Sequence, residues 1–416
     1  MTYILKNSWA LLLGLFLLML GNGLQGTLLG VRGAIEGFSP TTMSWVMSAY
    51  FLGFLGGSKL APIMIARVGH VRVFAALAST ISAAFIVYAV APDPYVWAAM
   101  RFVVGFSFSG VYVVSESWLN DSATNETRGQ ALSAYMIVQM AGVVAAQVVM
   151  NFADPSGFIL FAIISIVVSV SFAPILLSVS PAPVFHTSEP MTMKRLFKTS
   201  PLGFVGSIIL GAVFSIMFGM SAVYGTAAGL SVPEISIFIG TIYTGSVILQ
   251  YPIGWLSDRM DRRLLIIFIT AISAGLMLFG MIWSASFYVV LALGFVIGGS
   301  TSPLYSLLIA HTNDYLAHED MANASGTLVF IGGVGAIGMP VFVGYTMTVL
   351  GPNSFFYTLI GLMLLISAYG TYRLTRREGI SIEETMPYTP IMPQSSPIVA
   401  EVAQEIAIEA EIDADE

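Results

Sequence analysis

The sequence predicts an all-α membrane protein, with twelve transmembrane helices arranged as two six-helix pseudo-repeats. Three observations carry that reading. Hydrophobic residues fill 56% of the 416 positions and charged residues only 9%, giving a mean hydropathy of +0.85 that soluble domains do not approach. Twelve apolar stretches follow one another, each about 20 residues long and so able to cross a hydrocarbon core of roughly 30 Å as a helix. The two halves of the chain also echo each other at a shift of about 192 residues.

The spans fall at 9–29, 42–64, 73–91, 95–118, 131–151 and 158–178, then at 202–224, 235–256, 264–283, 287–310, 322–345 and 354–372. Within them stand three charged residues, Lys59, Arg101 and Glu116. The first span is too long for a signal peptide and lacks a small-residue cleavage site. With the N-terminus in the cytoplasm, 13 of the 16 Lys and Arg residues fall in inner segments, with clusters at 194–198, 259–263 and 373–377, and only Arg32 lies in an outer loop. That bias is what the positive-inside rule demands, so both termini are expected to be cytoplasmic.

The expected organisation is a six-helix bundle over 1–178, a cytoplasmic linker over 179–200, a second bundle over 201–374 and a tail over 375–416. Ten acidic residues stand from Glu378 onward, so the net charge of −7 belongs to the tail and the membrane body is net positive. Acidic and punctuated by proline, the tail reads as largely disordered, with room for a short helix near "VAQEIAIEAEI". The chain has no cysteine, which removes disulfides and thiol chemistry. Its four histidines show no metal-ligand spacing, and no metal or cofactor is expected.

The internal echo has several parts. A shift of about 192 residues lays Gly53 on Gly245 and Arg67 on Arg259. "NDSATNE" (Asn120, Asp121, Glu126) matches "NDYLAHE" (Asn313, Asp314, Glu319), and Gly105 and Gly110 are paired with Gly294 and Gly299. Each match alone is weak, since a charged loop is usually a solvated turn, but their agreement in register is informative. Two parallel six-helix repeats are the layout of a rocker-type secondary transporter with its site between them near the midplane.

"GWLSDRMDRR", residues 254–263, packs five charges into the loop between spans 8 and 9. It resembles the loop signature of the major facilitator superfamily in Gly254, Asp258, Arg259, Arg262 and Arg263, with Asp261 where the family usually has glycine. Gly254 permits a close helix approach, and Asp258 can bond backbone donors at a helix N-terminus. The resemblance implies that this N-terminus belongs to span 5, around 129–131, and that the contact forms a cytoplasmic gate. Topology-setting positive charge alone would explain the arginines but neither Gly254 nor Asp258. In the first half "PIMIARVGHVR" keeps Arg67, Gly69 and Arg72 but has Pro62 and Ala66 in place of the glycine and aspartate, so an asymmetric gate is expected.

Span 4 carries the costliest residues. Arg101 begins "RFVVGFSFSG", which resembles the superfamily's Arg-x-x-x-Gly element, with Val104 in place of its usual glutamine. Arg101, Gly105, Phe108, Tyr112 and Glu116 form one helical stripe. Roughly 22 Å of rise separates Arg101 from Glu116, too far for an ion pair. A charge inside the membrane is a functional candidate by default, with snorkelling the bland alternative for Arg101 and for Lys59. For Glu116, proton carriage and a structural bond to a donor such as Arg128 are the two readings.

Other polar residues punctuate the spans: Asn22 and Gln25 on the first, Gln139 and Gln147 on the fifth, Tyr243, Gln250 and Tyr251 on the eighth, and Tyr305 on the tenth. Each must bond between helices or face a wet cavity. Arg101, Glu116, Tyr112, Asn22, Gln25, Gln139, Gln250 and Tyr305 form the candidate set for substrate and proton coupling. The Gly-Pro run of superfamily exporters is missing from span 5, while span 11 has Gly326, Gly335, Pro340 and Gly344, which tight packing explains equally well. "SESWLNDSATNETRGQALSAYM" with "HTNDYLAHEDMANASG" resembles the YcaD-like bacterial branch of the superfamily, which brings no substrate with it.

These readings converge on a secondary active transporter of the bacterial inner membrane. It would move a small organic solute by alternating access, with protons as the coupling ion and export favoured over uptake on superfamily analogy alone. A proton-coupled uptake carrier and a membrane sensor signalling through the acidic tail are the alternatives. No Gly-x4-Gly-Lys-Ser/Thr motif is present, so ATP drive is not expected. An enzyme would need a catalytic constellation, and the sequence has none. The expected partners are a small molecule, protons and the lipid bilayer, with no nucleic acid, and the chain is expected to be a monomer.

Overall fold

The computed structural model describes residues 2–121, 123, 125–177, 191–283, 286–376, 379–381, 385–393 and 396–415. Most of the expected linker, and the side chains of Asp121, Glu126 and Glu319, lie outside the described residues. The first half contains helices α1 (Thr2–Ile35), α2 (Pro40–Val68), α3 (His70–Val90), α4 (Pro94–Asp121), α5 (Asn125–Val149), α6 (Ile159–Ser171) and α7 (Ala173–Leu177). After α8 (Met193–Thr199) come α9 (Pro201–Ala227), α10 (Val232–Ser257), α11 (Arg262–Trp283), α12 (Phe287–Asn313), α13 (His318–Leu350) and α14 (Ser354–Leu374), with α15 (Pro397–Asp415) in the tail. No strand occurs among the described residues.

Local chemistry sets the helix ends. The Ser39 hydroxyl accepts the Thr42 N–H at 3.1 Å and Pro40 opens α2, a capped start with a pre-set φ. Gly69 turns the chain from α2 into α3 at φ +85°, a region that a side chain would strain. Asp261, the departure from the loop signature, accepts the Arg263 N–H at 2.9 Å and so caps the start of α11.

Among the described residues, eleven helices are long and apolar enough to cross a bilayer. The sixth expected span, 158–178, is instead divided into α6 and α7. Pro174 has no N–H for the carbonyl one turn back, and it disfavours helical geometry at the residue before it, so the helix breaks beside it.

The chain forms two compact units. The first comprises Met1–Thr187, Met217–Ser236 and Ile337–Pro352; the second comprises Ser188–Ile216, Ile237–Ala336 and Asn353–Glu416. These units do not follow the six-and-six division of the sequence, because the first takes in the end of α9, the start of α10 and the end of α13.

In the first unit α2 lies along α4, and α1 along α5. Glycines let the backbones meet: a β-carbon at Gly53 would run into the Phe102 carbonyl, one at Gly105 into that of Tyr50, and one at Gly142 would fall 2.7 Å from that of Phe16. The second unit repeats this packing, with Gly245 against the Phe295 carbonyl, Gly298 against Ile242 and Gly335 against Ile208. All six positions and their partners stand 192 or 193 residues from their counterparts. Gly105 therefore corresponds to Gly298. The pairing with Gly294 drawn from sequence is a correction, since Gly294 instead meets the Phe238 ring.

Still within the first unit, the start of α2 meets the end of α13. The Thr41 and Thr348 hydroxyls lie 2.8 Å apart, Ser48 donates to the Ile337 carbonyl, and a β-carbon at Gly344 would run into Ser44. Beside them a β-carbon at Gly30 would fall 2.5 Å from that of Ala222, and Asn151 Nδ2 donates to Ser236 at 3.3 Å. The far ends of the two sequence halves are joined here.

In the second unit the tail carries a helix where the sequence leaves room for a short one. Helix α15 buries Val399, Ala400, Val402, Ala403 and Ala407, a stripe at helical spacing, and Met321, Met386 and Ala407 form a small apolar cluster. An acidic average had hidden this stripe.

Candidate functional site

The first polar cluster lies in the first unit, on α1, α2 and α4. Arg101 is only 4% exposed, so it does not snorkel to the surface. Its Nη2 points at Met47 Sδ at 3.2 Å and its guanidinium lies over the Tyr50 ring, 4.7 Å from the centroid, in a cation–π geometry. Arg101 Nε has no hydrogen-bond partner, and Arg101 makes no ion pair among the described residues. Tyr50 in turn lies beside Asn22, a member of a short chain of polar groups. Gln25 Nε2 donates to Asn22 Oδ1 at 3.1 Å, Asn22 Nδ2 to the Tyr112 hydroxyl at 3.4 Å, and that hydroxyl to Met19 Sδ at 3.3 Å. Gln25 Oε1 is buried with no partner. Phe54 and Phe108 flank the Tyr112 ring.

The second cluster joins α4 to α5. Glu116 is fully buried and accepts a hydrogen bond from the Tyr135 hydroxyl. Gln139 lies one turn beyond Tyr135, buried, with Nε2 unpartnered. Gln147 plays a plainer part, taking the Thr27 hydroxyl at 3.0 Å as a bond between α1 and α5. Lys59 is exposed.

The loop signature belongs to the second unit, and the tail lies against it. Gly254 faces the Tyr388 ring, which a β-carbon would meet at 2.6 Å. Asp258 Oδ1 accepts the Tyr388 N–H at 2.8 Å. The sequence reading sends this carboxylate to the start of the fifth span; here one of its oxygens holds the tail. Arg262 is buried, bonded through Nε to Ser257 at 3.0 Å, through Nη1 to Asp314 and through Nη2 to the Met386 carbonyl, with Asp258 3.6 Å away. Arg259 stacks on Trp255 at 4.2 Å, and Arg263 pairs with Asp261 at 2.6 Å.

Two carboxyls here titrate differently. Burial pushes the Asp314 carboxyl up to about 6, although Arg262 and the Met386 N–H pull the other way. Burial also works against the Asp261 carboxylate, but the bonds from Arg263 outweigh it and hold that carboxyl below its usual range.

Gln250 Nε2 donates to Ser306 Oγ at 3.2 Å and to the Tyr388 hydroxyl at 2.9 Å. Tyr305 is buried edge-on to Phe214. Of the residues singled out from sequence, Asn22, Gln25 and Tyr112 are joined by hydrogen bonds, and Arg101, about three turns from Tyr112 on α4, is linked to Asn22 through Tyr50. Glu116 and Gln139 share the second cluster, and Gln250 stands with the loop signature and the tail. Met47, Tyr50, Tyr135, Ser306 and Tyr388 were not singled out, and as ordinary residues of apolar or tail segments they carry no local signal of these contacts.

The superposed packing of six-helix repeats, the loop signature and the span 4 stripe find a common source in comparison. A family model described as Major Facilitator Superfamily matches residues 11–242 and 204–385. The chain belongs to the major facilitator superfamily. It is accordingly a multi-pass membrane transporter of the superfamily and not an enzyme. An uncharacterized MFS-type transporter, YcaD of Escherichia coli O81 (strain ED1a), is 26% identical over 351 residues, spanning 83% of this chain and 90% of the relative. A crystal structure of a variant of the nucleoside transporter NupG superposes with a TM-score of 0.77 at 14% identity, over 88% of this chain and 99% of that one. A bacterial homolog of the human lysosomal transporter Spinster, in an inward-facing and occupied conformation, superposes with a TM-score of 0.68 at 14% identity, over 99% and 97%. At that identity the solved structures speak to the fold alone.

Proposed function

We propose that this superfamily member is a proton-coupled secondary transporter of a small organic anion, working by alternating access in a bacterial inner membrane with both termini cytoplasmic. One observation carries the reading: among the described residues Arg101 is a buried cation with no carboxylate partner and an unbonded Nε. An uncompensated buried charge costs several kcal/mol, and a bound anion would offset that cost. Beyond Tyr50, which lies between Arg101 and Asn22, the amides of Gln25 and Asn22 and the Tyr112 hydroxyl offer polar contacts to the rest of a solute, and the rings of Tyr50, Phe54 and Phe108 offer its apolar walls.

Glu116 and Tyr135 supply the coupling group. The Tyr135 hydroxyl can donate to the carboxylate and accept from the acid, so the buried carboxyl keeps a hydrogen-bond partner in both forms. The basic loops support the cytoplasmic placement of the termini. The joined contacts at Thr41, Ser48 and Gly344 then lie at the outer end. Export is the favoured direction on superfamily analogy.

Reconstitution into proteoliposomes with a trapped pH-sensitive dye tests coupling directly. Addition of a panel of organic anions is expected to move protons in wild type and not in Glu116→Gln, which should keep anion binding. Anion movement with no proton signal in wild type would sink proton coupling.

A further inference from the structure

We propose that the signature loop and the adjoining ends of α10 and α12 form a slot for a tyrosine-bearing peptide segment, which the chain fills with its own tail to strap itself in a resting state. The slot has three parts. Its floor is Gly254, whose missing side chain leaves the space that the Tyr388 ring occupies, with 2.6 Å between that ring and any β-carbon there. Its polar end is Gln250, which bonds the Tyr388 hydroxyl at 2.9 Å while bonding Ser306 at 3.2 Å. Its rim is Asp258, Arg262 and Asp314, which take the backbone: Asp258 the Tyr388 N–H, Arg262 the Met386 carbonyl, and Asp314 the Met386 N–H at 3.2 Å.

Ser306 continues the seam by accepting the Ile391 N–H at 2.9 Å, and Gln404 of α15 donates to Ser325. Sequence-independent backbone bonds hold the segment in place, and the one buried ring with its hydroxyl gives the specificity. The segment is also suited to leaving. It is joined by hydrogen bonds and a small apolar cluster, and the acidic residues on either side of it keep the tail soluble when free. Gln250 cannot offer its amide to a cargo while it holds Tyr388, and Asp258 cannot bond another helix end with the oxygen that holds the tail. The docked tail thus blocks two groups at once. Its consequence for transport rests on the transporter reading above, whereas the strap itself does not.

The test uses the full chain, which has no native cysteine. A single Ala310→Cys reporter sits in the seam between α12 and the tail, beside Met386, Pro387 and Thr389. In inside-out vesicles a membrane-impermeant maleimide is expected to label this reporter slowly. Adding Tyr388→Ala removes both ring and hydroxyl and is expected to speed labelling at least about tenfold, by shifting a local opening equilibrium. Tyr388→Phe, which keeps the ring, should fall between. Gly254→Ala should speed labelling with Tyr388 intact, and adding Tyr388→Ala to it should gain little more. Hydrogen exchange should find the Tyr388 and Ile391 amides protected in wild type only. Equal labelling in all backgrounds, with those amides unprotected throughout, would overturn the strap. A strap that opens as described in a protein that moves no organic anion would instead overturn the transporter reading.

Discussion

A guanidinium that rests on a thioether and a phenol face, with no carboxylate partner among the described residues, is a costly thing to bury, and Arg101 is such a group. The cost is the reason it was legible: a charge inside an apolar span stands out in any reading of the sequence. What it touches was not legible. Tyr50 is one of 17 tyrosines, Met47 one of 22 methionines, and nothing local marks either as its neighbour. Arg101→Lys is expected to fold and yet lose most of the anion response, because a compact ammonium cannot stack on Tyr50 with the same planar face. Equal anion affinity in Arg101→Lys and wild type would show that planarity is irrelevant there.

Asp314 makes a prediction about pH. Its folded value of about 6 lies above the usual carboxylate value near 4. The folded protein therefore holds an extra proton between roughly pH 4 and 6, and stability from this group rises as pH falls through about 6. Above 6 the buried charge is fully felt, with Arg262 and the Met386 N–H facing it and Asp261 repelling it. Melting followed from pH 7.5 to 5 should find wild type gaining about 1.4 kcal/mol relative to Asp314→Asn, whose own curve should lack this slope. Parallel curves would contradict the raised value.

At the scale of elements, glycine does most of the positioning. Backbone against backbone is the packing that a bilayer rewards, since lipid gives helices no hydrophobic push toward each other. Gly105 against Tyr50 and Gly298 against Ile242 are the same contact made twice. Gly105→Val and Gly298→Val should each cost at least about 1–3 kcal/mol, since backbone cannot yield as a flexible side chain can. Gly361, which has open space around it, should take alanine with little effect. Thermal melting in detergent measures all three, and comparable losses in the Gly361 control would undercut the packing account.

The helical spans themselves were readable from length and apolarity, but two features were not. The break between α6 and α7 turned on Pro174, which an apolar count passes over. The order of the tail turned on Val399, Ala400, Ala403 and Ala407, whose spacing is diluted by the acids between them.

At the scale of the whole molecule, the proposal has three parts: the contact between the start of α2 and the end of α13, an anion site at Arg101, and a tail held by the signature loop. Gly30→Val tests the first. Its side chain would be driven into Ala222, so double-cysteine cross-linking of Thr41→Cys with Thr348→Cys, efficient in the parent, should fall several-fold. Undiminished cross-linking would mean that this contact does not depend on close approach at Gly30.

The central claim is that Arg101 holds an anion, and ligand-induced thermal stabilisation tests it most directly. Purified wild type, Arg101→Gln and Glu116→Gln would be melted across a panel of anionic, zwitterionic and cationic solutes. An anion at 100 times its dissociation constant should stabilise wild type and Glu116→Gln by about 2.7 kcal/mol and leave Arg101→Gln unmoved. Stabilisation by cations alone, or by anions equally in Arg101→Gln, would contradict it.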